Sequence, residues 1–303
     1  MSTFHTPVMV DEVLDALNVT PGENYIDATV GGGGHSEAIL KRGGNVLGID
    51  HDPQAIAAAS KRLLAAYPPA SMRGGRGEAM LALNVGNFSH LREIAKKHNF
   101  TPVAGILFDL GVSSFQLTHP QRGFSFAHEA NLDMRMDPTL NVTAKDLINA
   151  LSEKELTMML RTLTQERHAR KIAKLIVTHR QAKPITSTTE LARVVSGAYP
   201  SEPHRKLHPA TKTFLALRMA VNLERENLQS TLPEALDLLK VGGRLVILSF
   251  HETEDRIVKN FLKQRELAKK VTLVSKKPMT PSQAEKSQNP RARSAKLRAA
   301  QKI

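Results

Sequence analysis

Residues 25–40 read YIDATVGGGGHSEAIL and residues 46–53 read VLGIDHDP, and the order of residue types in these two stretches decides the fold. Tyr25, Ile26, Asp27 and Ala28 read as a short strand. Residues 31–34 are four glycines, a turn in which backbone can approach a ligand with no Cβ in the way. Residues 36–40 open a helix, residues 46–49 form a second strand, and Asp50 closes it. This is the layout of a doubly wound α/β fold, with a nucleotide-like ligand over the helix N-terminus and an acid about 20 residues on for its ribose hydroxyls. The expected fold class is therefore α/β, with a Rossmann-like doubly wound sheet. An ordinary βα turn whose glycines only relieve crowding would use the same residues.

The glycines also discriminate between cofactors. A pyrophosphate is commonly served by G-x-G-x-x-G at a helix N-terminus, but counting from Gly31 the last glycine would fall on Ser36. Asp27 stands just before the loop. A carboxylate there would repel a pyrophosphate and attract a sulfonium amino acid. S-adenosyl-L-methionine is favoured over NAD.

The chain has 303 residues, ample for a large core, and a formal charge of +13. It has no cysteine, which excludes disulfides and thiolate metal sites, and no metal is expected. It has no run of 18 or more apolar residues, so no membrane span is expected. The early residues, with Asp11 and Glu12 among them, show neither a secretory signal nor a transit pattern, and a cytoplasmic protein is expected. The charge is concentrated. Residues 259–303 carry 13 Lys/Arg against two acids, and residues 151–212 carry 12 against five. Such segments suit a nucleic-acid partner, with salt-dependent phosphate contacts; a solvated surface with a solubilising tail is the plainer reading.

Further strands are expected at residues 83–85, 103–108 and 244–250, with helices at 53–66 and 90–98. Between Asp109 and Leu245 lie 135 residues, far more than a βαβ unit needs. Their helical periodicity, at 153–163, 165–182 and 188–198, implies an inserted all-helical subdomain. The boundaries expected are 140–210 for the insert, with 1–139 and 211–303 forming a discontinuous cofactor-binding domain. On the second inserted helix Arg167, Arg170, Lys171 and Lys174 share one face, opposite Ala169, Ile172, Ala173 and Ile176. That face could track phosphates or simply be solvated.

Asp109-Leu-Gly-Val-Ser-Ser-Phe-Gln116 follows the fourth strand, where doubly wound folds bind ligands. Its acid and hydroxyls could hold an amine. Phe124 and Phe126 could stack a splayed-out base, although core packing is the commoner fate of phenylalanine.

The strings HTPVM at 5–9, GGGGHS at 31–36, FDLGVSSFQL at 108–117, RGFSF at 122–126 and LDMRMD at 132–137 resemble the MraW/RsmH family, as do HPATKTFLALRMAVN at 208–222, GGRLVILSFHETEDRIVK at 242–259 and NPRARSAKLR at 289–298. The resemblance runs from His5 to Arg298. It implies a class I methyltransferase fold and S-adenosylmethionine-dependent methylation of the exocyclic 4-amino group of a cytosine in the decoding region of small-subunit (16S) ribosomal RNA. It implies that Gly33, Gly34 and His35 contact the cofactor, that Asp50 binds its ribose and Phe88 its adenine, and that Asp109 and Gln116 complete the pocket. The family usually has proline where this chain has Phe115, and serine-leucine where it has Glu252-Thr253. The connection at 67–80 is longer than usual.

A cytosine amine is a poor nucleophile, so the site must hold its N–H groups while nitrogen and methyl come into line. Asp109, Ser113 and Ser114 are the catalytic candidates. Phe126, Arg167, Arg170, Lys171 and Lys174 are the candidates for substrate binding. His251, a lone histidine after a strand, reads as structural. The partner expected is ribosomal RNA or an assembled small subunit, met in part by the basic tail from Lys276 to Lys302; a homodimer is compatible with the sequence. The rivals are a non-catalytic ribosome-assembly protein that keeps the cofactor fold and an NAD-dependent dehydrogenase.

Overall fold

The computed structural model describes residues 7–67, 79–111, 119–200 and 207–303. Its chain divides into two compact units, one comprising Met1–Ser114 with Arg225–Ile303, the other Phe115–Glu224.

The first unit is built on seven strands: β1 Asn24–Asp27, β2 Asn45–Asp50, β3 Leu81–Val85, β4 Val103–Asp109, β5 Leu239–Ser249, β6 Val271–Leu273 and β7 Lys296–Lys302. They lie in the order β3-β2-β1-β4-β5-β7-β6. The first five are parallel, and β7 runs antiparallel between β5 and β6. Sequence period 2 sorts their side chains onto two faces. Ile26, Ile106, Phe108, Leu245 and Ile247 pack on one face with α4 (Leu91–Lys97), α10 (Glu224–Leu238) and α11 (Glu252–Leu267). Tyr25, Val46, Leu107, Val246 and Leu248 pack on the other with α1 (Val10–Leu17), α2 (Gly34–Lys41) and α3 (Pro53–Leu63). Burial on both faces explains why the central strands read as nearly continuous apolar runs. Each fully buried Leu or Ile contributes about 1.5–3 kcal/mol.

Strand order reverses between β1 and β4, so the loops leaving their carboxyl ends diverge. That divergence opens a crevice at the carboxyl edge of a doubly wound sheet.

The second unit contains α5 (Ala144–Ala150), α6 (Glu153–Thr164), α7 (Ala169–Ala182), α8 (Thr188–Ser196) and α9 (Thr211–Val221) around one apolar cluster. Thr143 with Asp146 and Ser152 with Glu155 form capping boxes that start α5 and α6. Gln165, in left-handed backbone at φ 51°, ends α6. The helix expected from sequence over 165–182 therefore starts at Ala169, and Arg167 lies in the preceding turn. The unit is wider than the 140–210 expected from sequence. Leu132 and Met134 on one side, and Phe214 and Leu217 of α9 on the other, belong to its core, and their apolar contacts draw both flanks into it.

The last part of the basic stretch Lys276 to Lys302 is built into the sheet. Residues 296–302 are a sheet strand with neighbours on both sides. Lys296 and Arg298 are engaged with Asp255. No helix among the described residues is long and apolar enough to cross a membrane.

Candidate active site at the carboxyl edge of the sheet

The loop after β1 turns on glycine for reasons internal to the chain. Gly33 caps α2 at φ 78°, and a Cβ there would meet Leu63 Cδ1 at 2.9 Å. A Cβ on Gly34 would meet Pro7 Cγ at 2.8 Å. The positive φ favours glycine at position 33, and the Pro7 ring packed against Gly34 leaves no space for a side chain there, whatever ligand the loop also serves.

The loop is tied to β2 through Asp50. Its Oδ2 accepts the Gly31 N–H at 2.9 Å and its Oδ1 the Asp52 N–H at 2.9 Å. Burial raises the Asp50 pKa, against the charge of His51 and these two backbone donors. A carboxylate offers about four lone-pair directions, so Asp50 is oriented by backbone and still has acceptor capacity. Phe88 opens a 3-10 turn after β3, half-buried, with its ring edge-on to Phe108 at 5.6 Å.

A second network joins β1, α2 and β4. Asp27 is 1% exposed. Its Oδ2 accepts the Ser36 hydroxyl at 2.7 Å and its Oδ1 the Thr29 N–H at 3.3 Å. Burial pushes its pKa up to about 6, opposed by the His35 charge and by those two hydrogen bonds. The Asp109 N–H donates to Thr29 Oγ1 at 2.6 Å. His35, 5% exposed, has Nε2 at 2.9 Å from the Val8 carbonyl oxygen and Nδ1 at 3.4 Å from Asp109 Oδ2. Burial would lower its pKa, but the Asp109 hydrogen bond and the charges of Asp109 and Asp27 prevail and raise it. Asp109 Oδ1 is buried with no hydrogen-bond partner among the described residues.

The crevice thus brings Gly31, Gly33, Gly34, His35, Asp50 and Asp109 together at the ends of β1, β2 and β4. Ser113, Ser114, Phe115 and Gln116 lie outside the described residues, as does most of the 67–80 connection. Val8, Thr29 and Ser36 were not singled out from sequence. A Thr two residues after a strand-ending Asp is a local signal for the first contact, Thr29 N–H to Asp27; nothing in the sequence marks Val8. His251 caps α11, its Nδ1 accepting the Glu254 N–H at 3.4 Å.

In the helical unit Arg167, Arg170, Lys171 and Lys174 are all exposed and, with Glu153 and His168, line an open groove of about 620 Å³. Ala169, Ile172, Ala173 and Ile176 are buried. Phe126 has its ring stacked on His208 at 4.6 Å and set edge-on to Phe214 at 4.9 Å. One face of Phe126 is therefore taken by the chain's own histidine.

The sequence profile of the MraW methylase family matches residues 2–303. This chain belongs to that family. It is 43% identical to the ribosomal RNA small subunit methyltransferase H of Carboxydothermus hydrogenoformans, over 100% of this chain and 99% of that protein. It is 44% identical to the protein of the same name from Syntrophobacter fumaroxidans, over 98% and 96%. A solved rRNA methylase from Streptococcus thermophilus is similar at 12% identity over 98% of each chain, with a TM-score of 0.45. The methylase has the class I methyltransferase fold expected of it, and S-adenosylmethionine is its cofactor.

The crevice suits that group. Its buried, unpartnered Asp109 Oδ1 and the carboxylates of Asp27 and Asp50 match a ligand with a sulfonium, an ammonium and ribose hydroxyls, and would be hostile to a pyrophosphate.

Proposed function

We propose that the methylase transfers a methyl group to the exocyclic 4-amino group of a cytosine in the decoding region of small-subunit ribosomal RNA. The observation that carries this reading is the likeness, at 42–44% identity over nearly the whole chain, to proteins named ribosomal RNA small subunit methyltransferase H. The basic groove of the helical unit supports a polyanionic substrate.

S-adenosylmethionine, when bound, supplies an electrophilic methyl group. The chain's residues hold it and orient the amine. Asp50 takes the ribose hydroxyls, Phe88 lies against the adenine, and Gly33, Gly34, His35, Asp109 and Gln116 complete the pocket. Asp109 or its neighbours Ser113 and Ser114 accept the N–H groups of the cytosine amine, so that its nitrogen is held in line. Transfer leaves a methylamine on the base and releases one proton. Phe126, Arg167, Arg170, Lys171 and Lys174 bind the RNA.

The test is incubation with methyl-labelled S-adenosylmethionine and either naked small-subunit RNA or isolated small subunits, followed by nuclease digestion and mass spectrometry. Label on the cytosine 4-amino nitrogen is expected. Label on another base or atom overturns the assignment, and tight RNA binding without label favours a non-catalytic assembly protein.

A further inference from the structure

We propose that His35 is a positioning residue: an imidazolium that clamps one oxygen of Asp109 and leaves the other as the open acceptor of the cofactor crevice. This role deepens the methyl-transfer reading and rests on it for the identity of the ligand.

The partners of the ring fix its protonation. The Val8 carbonyl can only accept, so His35 Nε2, 2.9 Å away, carries a hydrogen. If the ring were neutral, the Nδ1 lone pair would face the Asp109 carboxylate at 3.4 Å, a repulsive arrangement with no room for rearrangement in a side chain only 5% exposed. A second proton turns that approach into an ion pair.

The surroundings favour the same state. The ionisable groups that act on the ring are Asp109 from the end of β4 and Asp27 from the end of β1, and the Val8 backbone closes the remaining side. Asp50 is turned to the Gly31 and Asp52 N–H groups instead. Two buried carboxylates with no cation between them would be strongly unfavourable. With a cationic His35 the cluster of Asp27, His35 and Asp109 carries one net negative charge when both acids are ionised. That charge matches a ligand presenting positive groups.

The clamp also explains the orphan atom. Asp109 is fixed at its backbone by Thr29 and at Oδ2 by His35. Oδ1 is left buried and unpartnered among the described residues, and such an atom is ordinarily satisfied by a ligand, an ion or a water. His35 therefore acts from behind Asp109, and its side chain supports the acceptor within the pocket.

Two substitutions separate this role from simple space-filling. His35→Asn keeps a donor near the Nδ1 position, facing Asp109, and loses the Val8 bond. His35→Gln keeps a donor near Nε2, facing Val8, and loses the Asp109 bond. Affinity for S-adenosylhomocysteine, measured by calorimetry at neutral pH, should fall about tenfold or more in His35→Gln and clearly less in His35→Asn. Equal losses, or the reverse order, overturn the proposal. Because either variant could fold poorly, the unsubstituted protein gives an independent answer. Nitrogen-15 NMR of its His35 ring should report two protonated nitrogens at neutral pH, and a neutral tautomer there would also overturn the proposal. If the unsubstituted protein does not bind S-adenosylhomocysteine at all, the methyl-transfer reading fails, while the NMR result still decides the state of His35.

Discussion

Arg298 Nε donates to Asp255 Oδ1 at 2.6 Å, and the two side chains are only 13% and 12% exposed. Lys296 Nζ reaches the other oxygen of Asp255 at 3.1 Å. The last strand is thereby bolted to the first turn of α11. Burial alone would raise the Asp255 pKa, but Arg298 and Lys296 outweigh it and hold it below the usual carboxylate value. This stabilisation is fully present above the unfolded-state pKa of about 3.9 and is lost as pH falls through the lowered folded value. Asp255→Ala should cost about 3 kcal/mol at neutral pH in urea unfolding, with the deficit shrinking in acid.

Deleting residues 289–303 removes β7 and leaves β5 and β6 without their shared neighbour. The truncated chain should lose cooperative thermal unfolding altogether. A truncation that unfolds normally and loses only RNA affinity would mean that these residues act as an RNA-binding tail.

Gly33→Ala places a Cβ 2.9 Å from Leu63 Cδ1 at a residue with φ 78°. Left-handed strain of about 1–2 kcal/mol adds to the crowding. The melting temperature should fall even with no ligand present. An undisturbed melting temperature with weakened cofactor binding would assign Gly33 to the ligand alone.

Asp27 is retained at an energetic cost. A carboxyl moved from 3.8 to about 6 by burial is disfavoured by up to about 3 kcal/mol at neutral pH. Asp27→Asn should therefore be more stable than the parent at pH 8, by about 1–2 kcal/mol once a weakened hydrogen bond is allowed for. The advantage should vanish below about pH 4, where the acid is protonated in both folded and unfolded chains. Cofactor affinity should fall in the same variant.

Arg170→Gln with Lys171→Gln removes two exposed cations from the groove on the helical unit. The salt dependence of RNA affinity should flatten by about 0.7 in log–log slope for each single-strand phosphate that the variant no longer neutralises. Affinity for S-adenosylhomocysteine should not change.

The core strands were legible because burial on both faces forces runs such as 103–108 to be apolar. The acid ending β2 was legible from its distance to the glycines. β7 was not, because its charged residues Lys296 and Arg298 find their partner in Asp255, more than forty positions away. The edges of the helical unit were obscured in a similar way, since α9 looks like any amphipathic helix until its Phe214 is seen in the helical core. His35 was singled out only by resemblance. Its partners Val8 and Asp109 lie far along the chain in opposite directions, and no local pattern announces a buried imidazole between them.

The helical unit occupies Phe115–Glu224, yet β4 and β5 on either side of it are adjacent in register, Asp109 opposite Leu248. Pairing those strands across an unstructured loop of roughly 100 residues carries a chain-length term of about 4 kcal/mol in closure entropy. A helical unit that collapses early shortens that loop. The place of the insertion predicts an order of folding events, with the helices first, then the β4–β5 seam and the sheet's closing strand last, which pulse-labelled hydrogen exchange would check. Weakening the helical core at Leu160 or Ile172 would then delay the assembly of a crevice to which neither residue belongs.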